Sequence, residues 1–506
     1  MTGGRFNFRS EPTLPALAWV ARIRPGQLEV RHGGSVRVAE DAFFEGTWAG
    51  PPSLAMLPEA TTVFGSGIVA RGADLVVVNP SHHLEGVYHA RRGEDLLVAN
   101  PLVGLLVTTG MDIDPGFDYP SLFVAASRLC WLIEDNSTAS AGRLTGNSID
   151  IPMRDGRVSL QLYENLLVRA DLSTAEARKP REAPFRSFAD YVDRLRAATR
   201  SLVENARPYE PVVGLSSGYD STAVAAVGAK VGCNRAVGFT TARRAPRDGR
   251  DDDSGARTAA TLGLAYESFD RLAYQQASNL PEAEFLSSGT AGEDTMFSVL
   301  EPSLRGTMFL TGYWAGTEFA MSHRDDWRHV SPTTTAGADL TEFRLRADFF
   351  HIPLPVFGAA RPLDAPSLLD RTEMAPFRLG GHYDRPIPRR LAEEAGVPRG
   401  SFGVAKRAAN VLFPRDGPDA FSAASGWRSS STPWNGAAPA WSISNPTMAR
   451  SSSAGRSASF ASATRPSPAW SAGPPLPVSR LCRSHRIVAP PRLATGGTGR
   501  EAWRPV

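Results

Sequence analysis

The chain has 506 residues, 42% of them apolar, which leaves room for two or three domains with cores of their own. Its 55 basic and 52 acidic side chains leave a formal charge of +3, too balanced to point to a nucleic-acid partner. The cysteines Cys130, Cys233 and Cys482 lie too far apart for a disulfide framework or a CxxC-type zinc site, and no run of 18 apolar residues suggests a membrane span. The opening MTGGRFNFRSEP has no apolar core of the signal-peptide type, so a cytoplasmic protein away from membranes is expected.

Residues 1–180 read as β-rich. The short apolar segments LAWVARI, SVRVAED, LVVVNP, LLVAN and SLQLYENLLVRADL are separated by Gly, Pro and Asn signals. His82 and His83, adjacent in NPSHHLEG, read as loop residues rather than metal ligands, because neighbouring side chains diverge. ARKPREAP, 177–184, reads as a charged linker. The stretch FADYVDRLRAATRSLVENA then predicts an amphipathic helix with Phe188, Tyr191, Val192, Leu195 and Ala198 on one stripe. From Pro211 onward PVVGL, STAVAAVGAK, RAVGFTT, ARTAATLG, LAYESF and GTMFLTG alternate between strand and helix, the signature of βαβ units and a parallel sheet. In such open sheets ligands sit beyond the carboxyl ends of the strands.

The composition changes near residue 420. From Ala420 to Val506 there are 17 Ser, ten Arg, no Lys and one acid, Glu501, with Trp427, Trp434, Trp441, Trp470 and Trp503 scattered through them. Apolar residues recur there at neither the helical nor the strand period, so 420–506 reads as a disordered low-complexity tail. Arg without Lys, together with scattered Trp, is what an out-of-frame reading of GC-rich coding sequence gives; a natural Arg/Ser tail for an anionic partner is the alternative.

The loop after the first strand of the alternating region carries the chemistry. VVGLSSGYDSTAVAAV places Ser216, Ser217, Gly218, Tyr219, Asp220, Ser221 and Thr222 between a strand and a helix. Small residues let the backbone wrap tightly, and amides at a helix N-terminus with serine hydroxyls make an anion cradle. There is no GK[ST], so this is not a Walker loop, and an acid inside the cradle makes sense if Mg²⁺ bridges it to phosphate. The bland reading is a βα turn with Asp220 or Ser221 as helix N-cap.

SSGYDS resembles the SGGxDS signature of the PP-loop ATP pyrophosphatases, with Ser217 in place of the first glycine. Its surroundings are similar to the asparagine-synthetase-like branch of the adenine nucleotide alpha-hydrolase superfamily. The resemblance implies an α/β fold, with a Rossmann-like parallel sheet over 185–419 whose loop holds the pyrophosphate of ATP. It also implies an ATP-dependent, AMP-forming carbon–nitrogen ligase. A carboxylate attacks the α-phosphorus, pyrophosphate leaves with Mg²⁺, and ammonia or an amine displaces AMP.

Other segments fit the same resemblance. Phe239, Thr240 and Thr241 fall where relatives contact adenine and ribose through backbone groups, and Asp253 matches the family's acid ahead of the third strand, although it is equally a helix cap. FLTGYWAGTEF, with Gly312, matches a loop that normally supplies an acid; Gly316 stands at that position, which leaves Glu318 as the candidate metal ligand. Lys406 in GVAKR matches the lysine that offsets charge developing on the phosphates. Arg385, Arg389 and Arg390 read either as phosphate or carboxylate ligands or as surface charges.

Residues 1–180 resemble, by layout, the N-terminal-nucleophile glutaminase domain of asparagine synthetases, chiefly in LEGVYHARRGEDLLVANPLVGLLVTTG. The chain starts Met-Thr-Gly-Gly, without the family's nucleophilic cysteine, so a degenerate α+β domain is expected; Thr2 is the alternative nucleophile. Three other readings stand beside the ligase: a catalytically impaired nucleotide-binding scaffold, a ring-closing β-lactam-synthetase-like enzyme, and RNA thiolation, which needs a reactive cysteine at the strand ends. Nucleic acid is not expected as a partner, and homodimerisation is left open.

Overall fold

Turn residues punctuate the short apolar runs of the amino-terminal part, and these runs become the strands of two sheets. The first has the order β1 (Phe6–Ser10), β3 (Gln27–His32), β2 (Trp19–Arg24), β9 (Asp95–Ala99), β8 (Gly86–Arg92), β12 (Gly156–Leu162), β11 (Ser148–Met153), β10 (Leu144–Thr145). The second runs β14 (Thr174–Ala177), β13 (Asn165–Val168), β7 (Asp74–Val78), β6 (Val63–Arg71), β5 (Ala42–Trp48), β4 (Arg37–Ala39). Pairing is antiparallel throughout except between β1 and β3. Ala21, Ile23, Val30 and Val98 of the first sheet meet Phe43, Ile68, Val77 and Leu166 of the second in one buried cluster, so the sheets form a sandwich. Helix α1 (Leu102–Thr109) covers the outer face of the first sheet, with Leu102, Leu105 and Leu106 packed among Val20, Tyr88 and Leu97.

The structure, a computed structural model, describes residues 6–82, 84–117, 144–145, 147–180, 183–240, 254–271, 273–276, 294–313, 340–357, 368–380 and 384–403. By contact the chain divides into Met1–Ser444 and Asn445–Val506, and every described residue belongs to the first. The tail singled out from its composition lies outside the described residues, as do Thr2, His83, Cys130 and Cys482. Among the described residues no helix is long and apolar enough to cross a membrane.

The segment 177–184 is more than a charged connector. Lys179 is buried, and its Nζ donates to the Asn79 carbonyl at 2.7 Å and to Asn165 Oδ1 at 2.9 Å, which ties the end of β14 into the second sheet. Helix α2 (Phe188–Ala206) follows. Ser187 caps it by accepting from the Asp190 amide at 3.1 Å, and Asp190 accepts in return from the Arg186 amide at 2.8 Å. The expected stripe is the buried face: Phe188, Tyr191, Val192 and Leu195 are buried, and Ala198 packs against the same cluster. Burial of each large apolar side chain contributes about 1.5–3 kcal/mol. The carboxyl end of α2 rests on the sandwich, where Asn205 Nδ2 donates to the Trp48 and Gly50 carbonyls, each at 2.9 Å.

The alternating region forms a third sheet, all parallel, in the order β17 (Ala265–Phe269), β16 (Arg235–Phe239), β15 (Glu210–Gly214), β18 (Thr307–Thr311), β19 (Phe349–Pro353). Strands β18 and β19 are buried along their whole length, as strands covered on both faces are, whereas the edge strand β17 is largely open to solvent. Val213, Met308, Leu310 and Ile352 face a cluster shared with α2 and with helix α3 (Tyr219–Lys230), while Val212, Val237, Phe309 and Phe349 face the opposite cluster. Helix α4 (Ala256–Leu262) precedes β17, helix α5 (Leu340–Ala347) precedes β19, and helix α6 (Pro386–Glu394) packs on α3. From β15 the chain builds outward through β16 to β17; β18 and β19 are then added on the other side. The order reverses between β15 and β18, and the crevice at such a reversal is where open parallel sheets bind ligands.

A buried polar cluster joins the sandwich to this sheet. Arg344 of α5 donates to both oxygens of Glu45 on β5, at 2.7 and 3.0 Å, and to Glu85 at 2.7 Å. Glu45 also accepts from the amide and the hydroxyl of Ser66. His82 is indeed a loop residue, but a buried one, with Nε2 3.5 Å from Glu85. Burial pushes the Glu45 carboxyl up against the pull of Arg344, whereas at Glu85 burial is outweighed by Arg344 and His82 and the carboxyl falls to about 2. His351 on β19 is pushed down to about 3, chiefly by burial, and its Nε2 hydrogen-bonds Thr311 Oγ1 at 2.8 Å.

Candidate functional site

The loop between β15 and α3 lies at the point of strand-order reversal. Leu215 still pairs as a strand residue, its amide donating to the Val237 carbonyl at 2.8 Å, and Ser216 forms an isolated bridge with Ser254. Hydroxyls then fix the turn. Ser221 Oγ accepts from the Ser216 amide at 3.1 Å and lies 2.9 Å from Ser216 Oγ, which in turn accepts from the Gly218 amide at 3.2 Å. The helix cap is Gly218, which has no side chain to bond the first-turn amides of α3. Asp220 and Ser221 are inside that first turn, so neither is the N-cap of the bland reading. The arrangement gathers two hydroxyls and a helix N-terminus at one strand end, a setting suited to an anion.

The Asp220 carboxylate accepts on both oxygens from Arg385, which precedes Pro386 at the start of α6. Their side chains are 21% and 11% exposed, so the pair is shielded yet within reach of solvent. The other two arginines of the segment serve elsewhere. Arg389 is buried behind the loop, where it bonds the Tyr219 hydroxyl, lies 4.8 Å from that ring and bonds Glu393 at 3.1 Å. Burial pushes the Glu393 carboxyl up, but hydrogen bonds from Arg399 and Arg389 outweigh it and the net shift is downward. Arg390 lies 4.0 Å from the Phe188 ring centre and bonds Glu373 and Glu394.

Two glycines set how closely other segments approach. A Cβ on Gly312, just past β18, would fall 2.9 Å from the Asp220 carbonyl carbon and 2.9 Å from the Ser221 nitrogen, so glycine is required to bring the β18 loop against the start of α3. Gly403, at φ +61°, donates its amide to the Ser217 carbonyl at 2.9 Å, and a Cβ there would fall 2.5 Å from the Tyr219 ring.

The remaining expected residues divide. Tyr219 is fully buried, with its ring against Phe402, and Thr222 is fully buried with an Oγ1 that has no hydrogen-bond partner among the described residues. Both brace the loop from behind. Phe239 sits in the core beside Phe297, with Arg271 5.4 Å from its ring centre. Thr240 is exposed at the strand end, and its amide donates to the Phe269 carbonyl at 3.1 Å. Thr241, Asp253, Gly316, Glu318 and Lys406 lie outside the described residues. Among the described residues no group of three or more His, Cys, Asp or Glu could hold a metal ion. Cys233 lies at the amino edge of the sheet, opposite the loop, with Sγ donating to the Pro211 carbonyl at 3.2 Å; burial pushes its thiol up to about 11, so it is no candidate for sulfur chemistry.

The pairing of Arg385 with Asp220 is the feature that sequence reasoning missed. No signal within RPIPRR distinguishes the arginine that reaches Asp220 from the two that do not. No family model matches the chain, and no curated protein matches it.

Proposed function

We propose that the chain is an ATP-dependent, AMP-forming carbon–nitrogen ligase of the asparagine-synthetase-like kind, its parallel sheet a Rossmann-like PP-loop domain. The observation that carries the reading is the Ser216–Ser221 loop, fixed by its own hydroxyls at the reversal point between β15 and β18. An acid amid anion-binding groups is otherwise an odd choice, since Asp220 repels a bare phosphate.

The donor set fits magnesium-bound polyphosphate. Asp220 would supply a carboxylate oxygen to Mg²⁺, while Ser216, Ser217, Gly218 and Ser221 offer hydroxyls and backbone amides to the pyrophosphate. Magnesium bound there would spread the negative charge that gathers on pyrophosphate as it departs. Ser216 and Ser221 orient the loop, Tyr219 and Thr222 hold it from the core side, and Gly312 lets the backbone after β18 lie against the start of α3. Glu318 and Lys406 complete the proposed set as second metal ligand and catalytic cation. The acceptor is a carboxylate and the donor ammonia or an amine.

Calorimetric binding of a non-hydrolysable ATP analogue to the full chain, with and without Mg²⁺, tests this. Magnesium-dependent binding that Asp220→Ala abolishes is expected; a folded wild-type chain that binds no analogue overturns the reading. Gly316 at the family's acid position favours a second reading, a nucleotide-binding protein without catalysis. That reading expects analogue binding but no release of AMP from ATP with any carboxylate and amine supplied.

A further inference from the structure

We infer that Arg385 is an exchangeable counter-ion of the loop: it holds the Asp220 carboxylate while the site is empty and transfers to the nucleotide phosphates when magnesium takes that carboxylate. The inference rests on the nucleotide reading above and assigns a polyphosphate-positioning role to a residue outside the loop motif. Four observations carry it.

The first is charge. A cradle containing Asp220 is matched to phosphate only if the carboxylate is neutralised, and Arg385 neutralises it. The second is selectivity among neighbours. Arg389 and Arg390 are engaged with Tyr219, Glu393, Phe188, Glu373 and Glu394, whereas Arg385 alone of the three bonds the Asp220 carboxylate.

The third is how Arg385 is held. Pro386 opens α6 directly after it, and Asp384 Oδ2 accepts from the amides of Leu379 and Gly380 at 2.8 and 2.9 Å. The chain on either side of Arg385 is therefore anchored by contacts other than the pair, and the side chain can change partner without moving α6. The fourth is accessibility. The Asp220–Arg385 pair is 21% and 11% exposed, while the structural pair Glu45–Arg344 is 0% and 4% exposed. A guanidinium suits the exchange, because its planar fork fits a carboxylate and a phosphate equally well.

The test uses the full chain as wild type, Arg385→Gln and Arg385→Lys, each checked for a wild-type thermal unfolding profile. Two quantities are read: binding of Mn²⁺ alone, from loss of the free-ion paramagnetic resonance signal, and calorimetric binding of a non-hydrolysable ATP analogue with Mg²⁺. Arg385→Gln should bind Mn²⁺ at least about tenfold more tightly, since no cation holds the carboxylate beforehand, and the magnesium analogue at least about tenfold more weakly. Arg385→Lys, which keeps the charge without the fork, should fall between wild type and Arg385→Gln on both. It decides the matter if Arg385→Gln fails to fold. Opposite shifts in the two affinities support the exchange. Any other pattern, whether no change, loss of both or a shift in one alone, makes the pair a structural brace and overturns it. A wild-type chain that binds no analogue fails at an earlier step: it removes the nucleotide reading, and this inference with it.

Discussion

Arg344 and Glu45 form a fully shielded, two-pronged ion pair across the junction of the sandwich and the parallel sheet, with N–O distances of 2.7 and 3.0 Å. Glu45 lies on β5, between β6 and the edge strand β4, where its neighbours Phe43 and Phe44 are core residues, and Arg344 arrives from α5 almost three hundred positions later. Two buried carboxylates sharing one guanidinium make a junction that tolerates no partial loss, because removal of the cation strands both acids in a dry core.

Arg344→Ala should therefore destabilise the chain by about 3–5 kcal/mol in denaturant unfolding at neutral pH. Combining Arg344→Met with Glu45→Gln should cost less than the sum of the two single changes, since the second removes a charge that the first has orphaned. A loss below about 1 kcal/mol for Arg344→Ala would mean that the pair is open to water.

The acid side of the stability curve follows from His351. Its folded-state value near 3 lies below the ordinary histidine value, so between about pH 6.5 and 3 the unfolded chain binds a proton that the folded chain refuses. Stability from this group is present above pH 6.5 and is lost as pH falls, at up to roughly 1.4 kcal/mol per pH unit. Glu45, pushed up by burial, works in the opposite sense, so the difference curve between wild type and His351→Gln carries the test. That difference should shrink steadily as pH is lowered from 6.5 to 4.5. A flat difference would contradict the buried neutral imidazole.

How much of this was legible depends on how local the cause is. The parallel sheet could be read because strands covered on both faces need apolar residues at consecutive positions, as at Val212–Val213 and Met308–Phe309–Leu310. The stripe of α2 could be read from its period. The tight turn from β15 into α3 could be read because small residues and a helix start are local features. Arg385 could not be assigned to Asp220, 165 positions away, because the placement of α6 decides which of three arginines meets that carboxylate. Nor could the junction: a single Glu in AFFEGTW signals an ion pair only once its partner is known. His82 reads only as a loop residue, with no sign of its burial beside Glu85, and Lys179 reads as part of a linker although the second sheet encloses it.

Lys179 gives the alkaline counterpart. Burial lowers its ammonium to about 7 against the pull of Glu164, so from about pH 7 to 10 the unfolded chain holds a proton that the folded chain has released. Stability from this group should rise with pH across that window and fall back as pH drops through 7. In urea unfolding at pH 7 and 9, wild type should gain relative to Lys179→Met. Equal pH dependence in the two proteins would place the ammonium in water.

Gly312→Ala tests whether the two loops at the reversal point act as one site. The added methyl would meet the Asp220 carbonyl carbon and the Ser221 nitrogen at 2.9 Å and the Asp220 Cβ at 3.0 Å. These are mostly backbone atoms of a helix start, which cannot rotate away, so the β18 loop or the first turn of α3 must move. Overpacking of this kind costs about 1–3 kcal/mol. The same displacement should loosen the grip of the loop, so binding of the magnesium ATP analogue should weaken along with the unfolding midpoint. Gly34→Ala, whose new Cβ meets nothing within 4 Å, should change neither. Full analogue affinity in Gly312→Ala would mean that the β18 loop stands apart from the nucleotide and that Ser216–Ser221 work without it.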